Sequence, residues 1–144
     1  MRRNLRVTYA AMAWILVGAV VAQFFFAGIG IFAGAGFTLH ALVGASIVFF
    51  LPLLMLPLGL VARLPRRLTL LTTSVPALVI LQSLLLAPYR GVGDQSLRLF
   101  SALHPVNAIL ILWVAVTIVE KVRSLSAAEP GPVKQPATGE APQA

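Results

Sequence analysis

The sequence predicts an all-α integral membrane protein, a four-helix bundle whose consecutive helices run up, down, up and down. Hydrophobic residues make up 59% of the 144 residues and charged residues only 10%, whereas about a quarter of the residues in a soluble domain are charged. So few charges cannot coat a water-soluble protein of this size, and most of its surface is expected to face lipid. Lipid tolerates no unpaired backbone, and the apolar runs are continuous rather than alternating, which favours helices over a β-barrel.

Four apolar runs carry this prediction. No charged residue occurs from Val7 to Ala62. One helix of that length would measure roughly 84 Å, so the run must hold two spans of a hydrocarbon core about 30 Å thick. The glycines of segment 34–38 mark the turn, and Thr38 is expected to cap the next helix. The predicted transmembrane domain covers residues 1–123, with spans at about 7–33, 39–62, 68–86 and 99–119.

The basic residues predict the orientation. Lys and Arg cluster before the first span, between the second and third, and after the fourth, whereas the other side has only Arg90 and Arg98. The positive-inside rule therefore places both termini in the cytoplasm of a multi-pass protein of the bacterial inner membrane. The proline-rich segment 124–144 is predicted to be a disordered cytoplasmic tail. The net charge of +7 lies beside the spans, so nucleic-acid binding is not expected.

Polar side chains interrupt the predicted spans in the outer half of the bundle. Such groups are energetically costly in a membrane, so each is expected to have a structural or functional role. Each hairpin repeats a glutamine followed, across the turn, by His-x-x-x-small. Two hairpins related by a pseudo-two-fold axis would place the histidines on alternate helices, as candidates to face each other across the centre of the bundle. Counting from the cytoplasmic charges puts His40 roughly 9–10 Å further out than His104, unless kinks at Pro52 and Pro57 change that depth. The polar residues are Gln23, His40, Gln82, His104 and Asn107.

Two facing histidines can bind the iron of one b-type haem from both sides. The chain has no cysteine, which excludes thiolate metal sites, iron–sulfur clusters and covalent haem attachment. The predicted iron ligands are His40 and His104, and the small Gly44 would let the macrocycle approach a helix backbone. The predicted partners of the imidazoles or propionates are the amide side chains of Gln23, Gln82 and Asn107.

The same polar layer has other interpretations. Gln, His and Asn in membrane bundles often only hydrogen-bond between helices, which would make the protein a non-catalytic structural or accessory subunit of a membrane complex. A quinone, a lipid or another small ligand is a further alternative. No catalytic motif occurs and no acid lies in a span, so no catalytic residue is proposed. The partners considered are the lipid bilayer, a quinone, a redox protein and other subunits of a homo- or hetero-oligomer.

One set of segments extends over nearly the whole chain except the tail: Ala22-Gln23-Phe24, Leu39-His40, Gly44, Arg63-Leu64-Pro65-Arg66-Arg67, Leu81-Gln82 and Leu103-His104-Pro105-Val106-Asn107-Ala108. In these segments the chain resembles a family of small bacterial four-helix membrane proteins of unknown function (DUF6220). This resemblance implies the fold but no activity. The placement of the histidines is also similar to one half of haem A synthase, which carries outer-side histidines on its second and fourth helices. The acidic residue of that enzyme's first outer loop is missing, so haem A synthesis is not implied.

Overall fold

The computed structural model describes residues 2–127, and within that range the chain forms long helices and no strand. Each of the four long helices has the length and apolar composition needed to cross a membrane, which confirms the predicted all-α membrane fold. Short connections join them, and a 3₁₀ helix at Gln95–Ala102 precedes the last one. The four helices are α1 (Arg2–Phe32), α2 (Thr38–Val61), α3 (Arg66–Leu86) and α4 (Leu103–Ala127).

The helices form a square in which each one contacts its two neighbours. Helices α1 and α3 both pack against α2 and α4, so that α1 lies diagonally opposite α3 and α2 diagonally opposite α4. We call the end of the bundle where α1 and α3 begin the basic end, because Arg3, Arg66 and Arg67 lie there. The opposite end, formed by segments 33–37 and 87–102, is the far end.

The helix boundaries differ from the predicted spans at several places. Helix α1 already begins at Arg2, because a helix can continue past its apolar part into charged residues. Helix α4 begins at Leu103 rather than near residue 99, since the preceding residues form the 3₁₀ turn. It ends at Ala127, so residues 124–127 of the predicted tail are helical. The rest of that tail lies outside the described residues.

The connection between α1 and α2 lies at the predicted glycines. Gly34 and Gly36 have φ angles of 66° and 72°, a left-handed conformation that side chains other than glycine rarely adopt. The expected cap from Thr38 was wrong. Thr38 is the first residue of α2, the residue before it is Phe37, and no side chain makes a capping hydrogen bond there.

Helix α2 is irregular along much of its length. It contains a π-helical segment at Gly44–Val48 and two internal prolines, Pro52 and Pro57. A π turn closes its hydrogen bond one residue further along the chain than an α turn, and proline removes a backbone donor and bends the helix. The axial position of a residue in α2 therefore cannot be counted at a constant rise.

The close-packed core occupies the half of the bundle near the basic end. Buried residues of α1 recur every three or four positions and stop near Val20, whereas those of α4 begin near Ile111 and continue to Val122. This spacing marks one inward helix face. The outward faces carry large apolar side chains such as Phe25, Leu54 and Trp113, which are more than half exposed in the isolated chain and suit contact with lipid.

One buried hydrogen bond joins the diagonal pair α1 and α3 in this core. The hydroxyl groups of Tyr9 and Thr72 are bonded to each other, and the Thr72 hydroxyl also lies 2.9 Å from the Leu68 carbonyl of its own helix. Both side chains are almost fully buried. Gly59 of α2 leaves room for the Tyr9 ring, since a Cβ at position 59 would lie 3.2 Å from it.

We expect Thr72→Val to lower the free energy of unfolding by about 1 kcal/mol, because the Tyr9 hydroxyl would remain buried without its partner. The measurement is reversible unfolding in mixed detergent micelles. Thr73→Val is the matched control, because the Thr73 hydroxyl is exposed and donates to the Thr69 carbonyl of its own helix. Equal effects of the two substitutions would show that the Tyr9–Thr72 bond contributes nothing to stability.

Candidate functional site

A cavity of about 320 Å³ lies between the four helices, beyond the close-packed core towards the far end. Its volume lies near the lower end of the range of roughly 300–1,000 Å³ that is usual for small-molecule sites. Apolar and small residues form most of the wall, including Gly44, Ala45 and Ala108. The polar and charged residues of the wall are Gln23, His40, Gln82, Ser83, Arg90 and His104.

The two histidines face each other from diagonally opposite helices, His40 on α2 and His104 on α4. Their ring centres are 6.2 Å apart and the ring planes are inclined by 48°. The expectation that His40 lies roughly 9–10 Å further out than His104 was therefore wrong. Counting residues assumed straight helices of equal rise, whereas α2 contains the π segment and two prolines. The Phe37 ring contacts His40 edge-on from the α1–α2 turn, with 6.3 Å between ring centres.

Each histidine is held by a backbone carbonyl of the preceding helix. Nδ1 of His40 lies 3.0 Å from the Gln23 carbonyl, and Nδ1 of His104 lies 3.3 Å from the Gln82 carbonyl. A carbonyl oxygen can only accept a hydrogen bond, so Nδ1 carries the proton in both rings. This leaves Nε2 of each ring to bind another group. Metal-binding histidines are commonly fixed in this way, with the second ring nitrogen donating to a carbonyl.

The repeat seen in the sequence therefore corresponds to a repeated contact, because in each hairpin the histidine bonds to the carbonyl of the repeated glutamine. The glutamine side chains, however, differ. Nε2 of Gln82 donates to the His104 carbonyl at 2.9 Å. Nε2 of Gln23 is buried without a hydrogen-bond partner, and the Gln23 side chain lies beside Gly44, where an added Cβ would be 3.4 Å from Oε1.

Asn107 lies next to the site but does not line the cavity. It is 6% exposed, and its Nδ2 group donates to the Leu78 carbonyl at 2.9 Å and to Oε1 of Gln82. Its observed role is to tie α4 to α3 and to hold the Gln82 amide. Of the six residues predicted to bind a cofactor, the structure thus brings five to the cavity wall and places Asn107 behind Gln82.

Arg90 is the charged residue of the cavity wall that sequence reasoning missed. It was assigned only to the topology of the far-side loop, yet its side chain lines the cavity together with both histidines. Its backbone N–H donates to the Leu86 carbonyl at 3.1 Å, so one helical turn continues beyond the end of α3. The available signal was its position four residues after Leu86, one helical turn beyond the end of the apolar run.

The donor set determines which cofactors could bind. Within residues 2–127, no three His, Cys, Asp or Glu side chains come together, and a bare zinc site usually needs three or four protein ligands. A porphyrin supplies most of the iron ligands itself and needs only two axial ones. Two metal–imidazole bonds of about 2 Å, with the ring radii added, place opposed ring centres about 6 Å apart. The observed distance between the two ring centres, 6.2 Å, is close to that separation.

Residues 23–88 match the model of a family described as a family of unknown function, DUF6220. The predicted resemblance to this family is thus confirmed for the part of the chain that includes Gln23, His40, Gly44 and Gln82. The match ends before His104 and the Leu-His-Pro-Val-Asn-Ala segment. No curated protein and no solved structure matches the chain, and the resemblance to haem A synthase stays a prediction.

We expect the Nδ1 nitrogens of His40 and His104 to be protonated in the ligand-free protein. The measurement is a long-range ¹⁵N–¹H correlation spectrum of histidine-labelled protein in detergent, assigned with His40→Ala and His104→Ala. Signals of a neutral ring that carries its proton on Nε2 would contradict the two carbonyl contacts and the availability of Nε2.

Proposed function

We propose that this four-helix membrane protein binds one b-type haem, with His40 and His104 as the axial ligands. One observation carries the proposal: the two imidazoles oppose each other at 6.2 Å across a shared cavity, each fixed through Nδ1 to a backbone carbonyl. A bound haem would supply one-electron chemistry. Nε2 of each histidine would hold the iron, and Gly44 and Ala108 would leave space beside the ring.

The Gln23 amide further supports a ligand in this cavity. A buried donor without a partner is costly, and packing alone gives no reason to keep it. The amide lines the same cavity as the histidines, so a hydrogen-bond acceptor on a ligand would satisfy it. With two histidines in the chain, one bis-histidine haem is the upper limit. Electron exchange is therefore proposed to involve a quinol or a redox protein at the far side, rather than a second haem.

A structural or accessory role is the second candidate, and a specific observation favours it. Gln82 and Asn107 use their amides for bonds between α3 and α4, as polar residues often do in membrane bundles. In that case the histidines would also serve only to connect neighbouring helices. The two candidates differ in one measurable property, since a structural subunit needs no haem.

The haem proposal predicts a visible spectrum. Protein expressed with haem supply and purified in detergent should show a Soret band and, after reduction with dithionite, sharp α and β bands. His40→Ala and His104→Ala should each remove these bands, because iron would lose one axial ligand. Tyr9→Phe is the control, since Tyr9 lies in the core near the basic end and does not line the cavity. A featureless spectrum from monodisperse wild-type protein would overturn the proposal and leave the structural role.

The proposed location is the bacterial inner membrane, with the basic end in the cytoplasm. Its support is the distribution of charge. Arg63, Arg66 and Arg67 connect α2 to α3 at the basic end, whereas the described far-end connections carry only Arg90 and Arg98 with Asp94. Cytoplasmic loops are enriched in Lys and Arg. Under this orientation the haem cavity opens towards the periplasmic side.

The orientation predicts a labelling pattern that is simple to measure, because the natural chain has no cysteine. Ser96→Cys in the far-end connection should react with a membrane-impermeant maleimide on intact spheroplasts. Ser124→Cys, near the end of α4, should react only after the membrane is permeabilised. The reverse pattern would place the basic end outside, and labelling of both positions on intact spheroplasts would contradict a membrane-spanning fold with this arrangement.

A further inference from the structure

Arg90 brings a positive charge to the cavity wall. Its side chain lines the cavity with His40 and His104. Among the described residues, no acidic side chain lines the cavity. The wall is therefore apolar except for amide, hydroxyl and imidazole side chains and one guanidinium group.

The other charged residues of the far end are directed elsewhere. The carboxylate of Asp94 accepts the Ser96 backbone N–H at 2.9 Å and begins the 3₁₀ helix, and this bond lowers the pKa of the Asp94 carboxyl. The guanidinium of Arg98 lies 6.0 Å from the centre of the Tyr89 ring, a cation–π contact outside the cavity. Arg90 is thus the far-end cation that faces the site.

We propose that Arg90 binds a carboxylate of the ligand held in the cavity. Guanidinium groups recognise carboxylates through paired charge-assisted hydrogen bonds, and binding in a cavity surrounded by apolar walls strengthens them. This inference rests on the proposed function, because a b-type haem carries two propionates on one edge. Arg90 would set the orientation of the macrocycle, with its carboxylate edge towards the far end and its apolar edge towards the core.

The residues on the core side of the cavity agree with this proposed orientation of the apolar edge. Towards the core the cavity ends at Val20, Val48 and Ile111, which are almost completely buried. The two ends of the cavity therefore differ: the end towards the core is apolar, and the end towards Arg90 is polar. An amphipathic ligand with its carboxylates at one edge matches this gradient, whereas a uniformly apolar ligand would leave the guanidinium without a counter-ion.

The test compares haemin with haemin dimethyl ester, in which both carboxylates are blocked. Haem-free protein in detergent is titrated with each compound, and the Soret absorbance gives the dissociation constant. Arg90→Gln should weaken haemin binding about tenfold, which corresponds to one lost charge-assisted contact, and should leave ester binding unchanged. The absorption maxima should stay the same, because the axial ligands are intact. Arg98→Gln is the matched control and should bind both compounds as the wild type does.

The outcomes separate this inference from the proposed function. If wild type binds haemin and ester equally and Arg90→Gln changes neither, Arg90 does not bind a carboxylate, although the protein is a haem protein. If Arg90→Gln weakens both compounds equally, Arg90 acts on the fold of the cavity, and the inference is also overturned. If wild type binds neither compound at any concentration tested, the haem proposal fails and this inference fails with it.

Discussion

Hydrocarbon offers no hydrogen-bond partner, and the arrangement of this bundle follows from where its polar groups find one. Most hydroxyl groups in the spans bond within their own helix, as Thr73 and Thr117 do to carbonyls one turn earlier. Such bonds satisfy the side chain without restricting how helices pack. The few side chains that bond between helices therefore have a disproportionate effect on the fold, and they occur at two levels of the bundle.

The two levels involve different diagonal pairs of helices and have different surroundings. Near the basic end, Tyr9 and Thr72 join α1 to α3 inside a close-packed core. Towards the far end, His40 and His104 face each other from α2 and α4, but each is bonded to a neighbouring helix rather than to the other. At the first level the helices pack closely around the hydrogen bond, whereas at the second level a cavity lies between them. A single short chain thereby combines a close-packed half with a half that contains a cavity.

The sequence was sufficient for the fold because long apolar runs have few solutions in a membrane. The number of helices and the glycine turn at Gly34 and Gly36 follow from hydropathy and backbone preference. The pairing of His40 with His104 followed from the repeat. Their relative depth did not, because counting residues at a constant rise takes no account of the π segment or of the effect of Pro52 and Pro57 on the helix. Arg90 was missed because a charge in a short loop is ordinarily a matter of topology.

The difference between the two hairpins can be traced to one position of the repeat. Asn107 follows His104 by three residues, and the equivalent residue after His40 is Val43. Asn107 bonds to Oε1 of Gln82 and helps to keep that amide between α3 and α4. Valine offers no donor for Oε1 of Gln23, so the Gln23 amide is not held in this way. Its Nε2, which in Gln82 donates to the His104 carbonyl, is buried without a partner. Asparagine at one of the two equivalent positions therefore makes Gln82 a link between α3 and α4, whereas no side chain within the described residues holds the Gln23 amide in the same way.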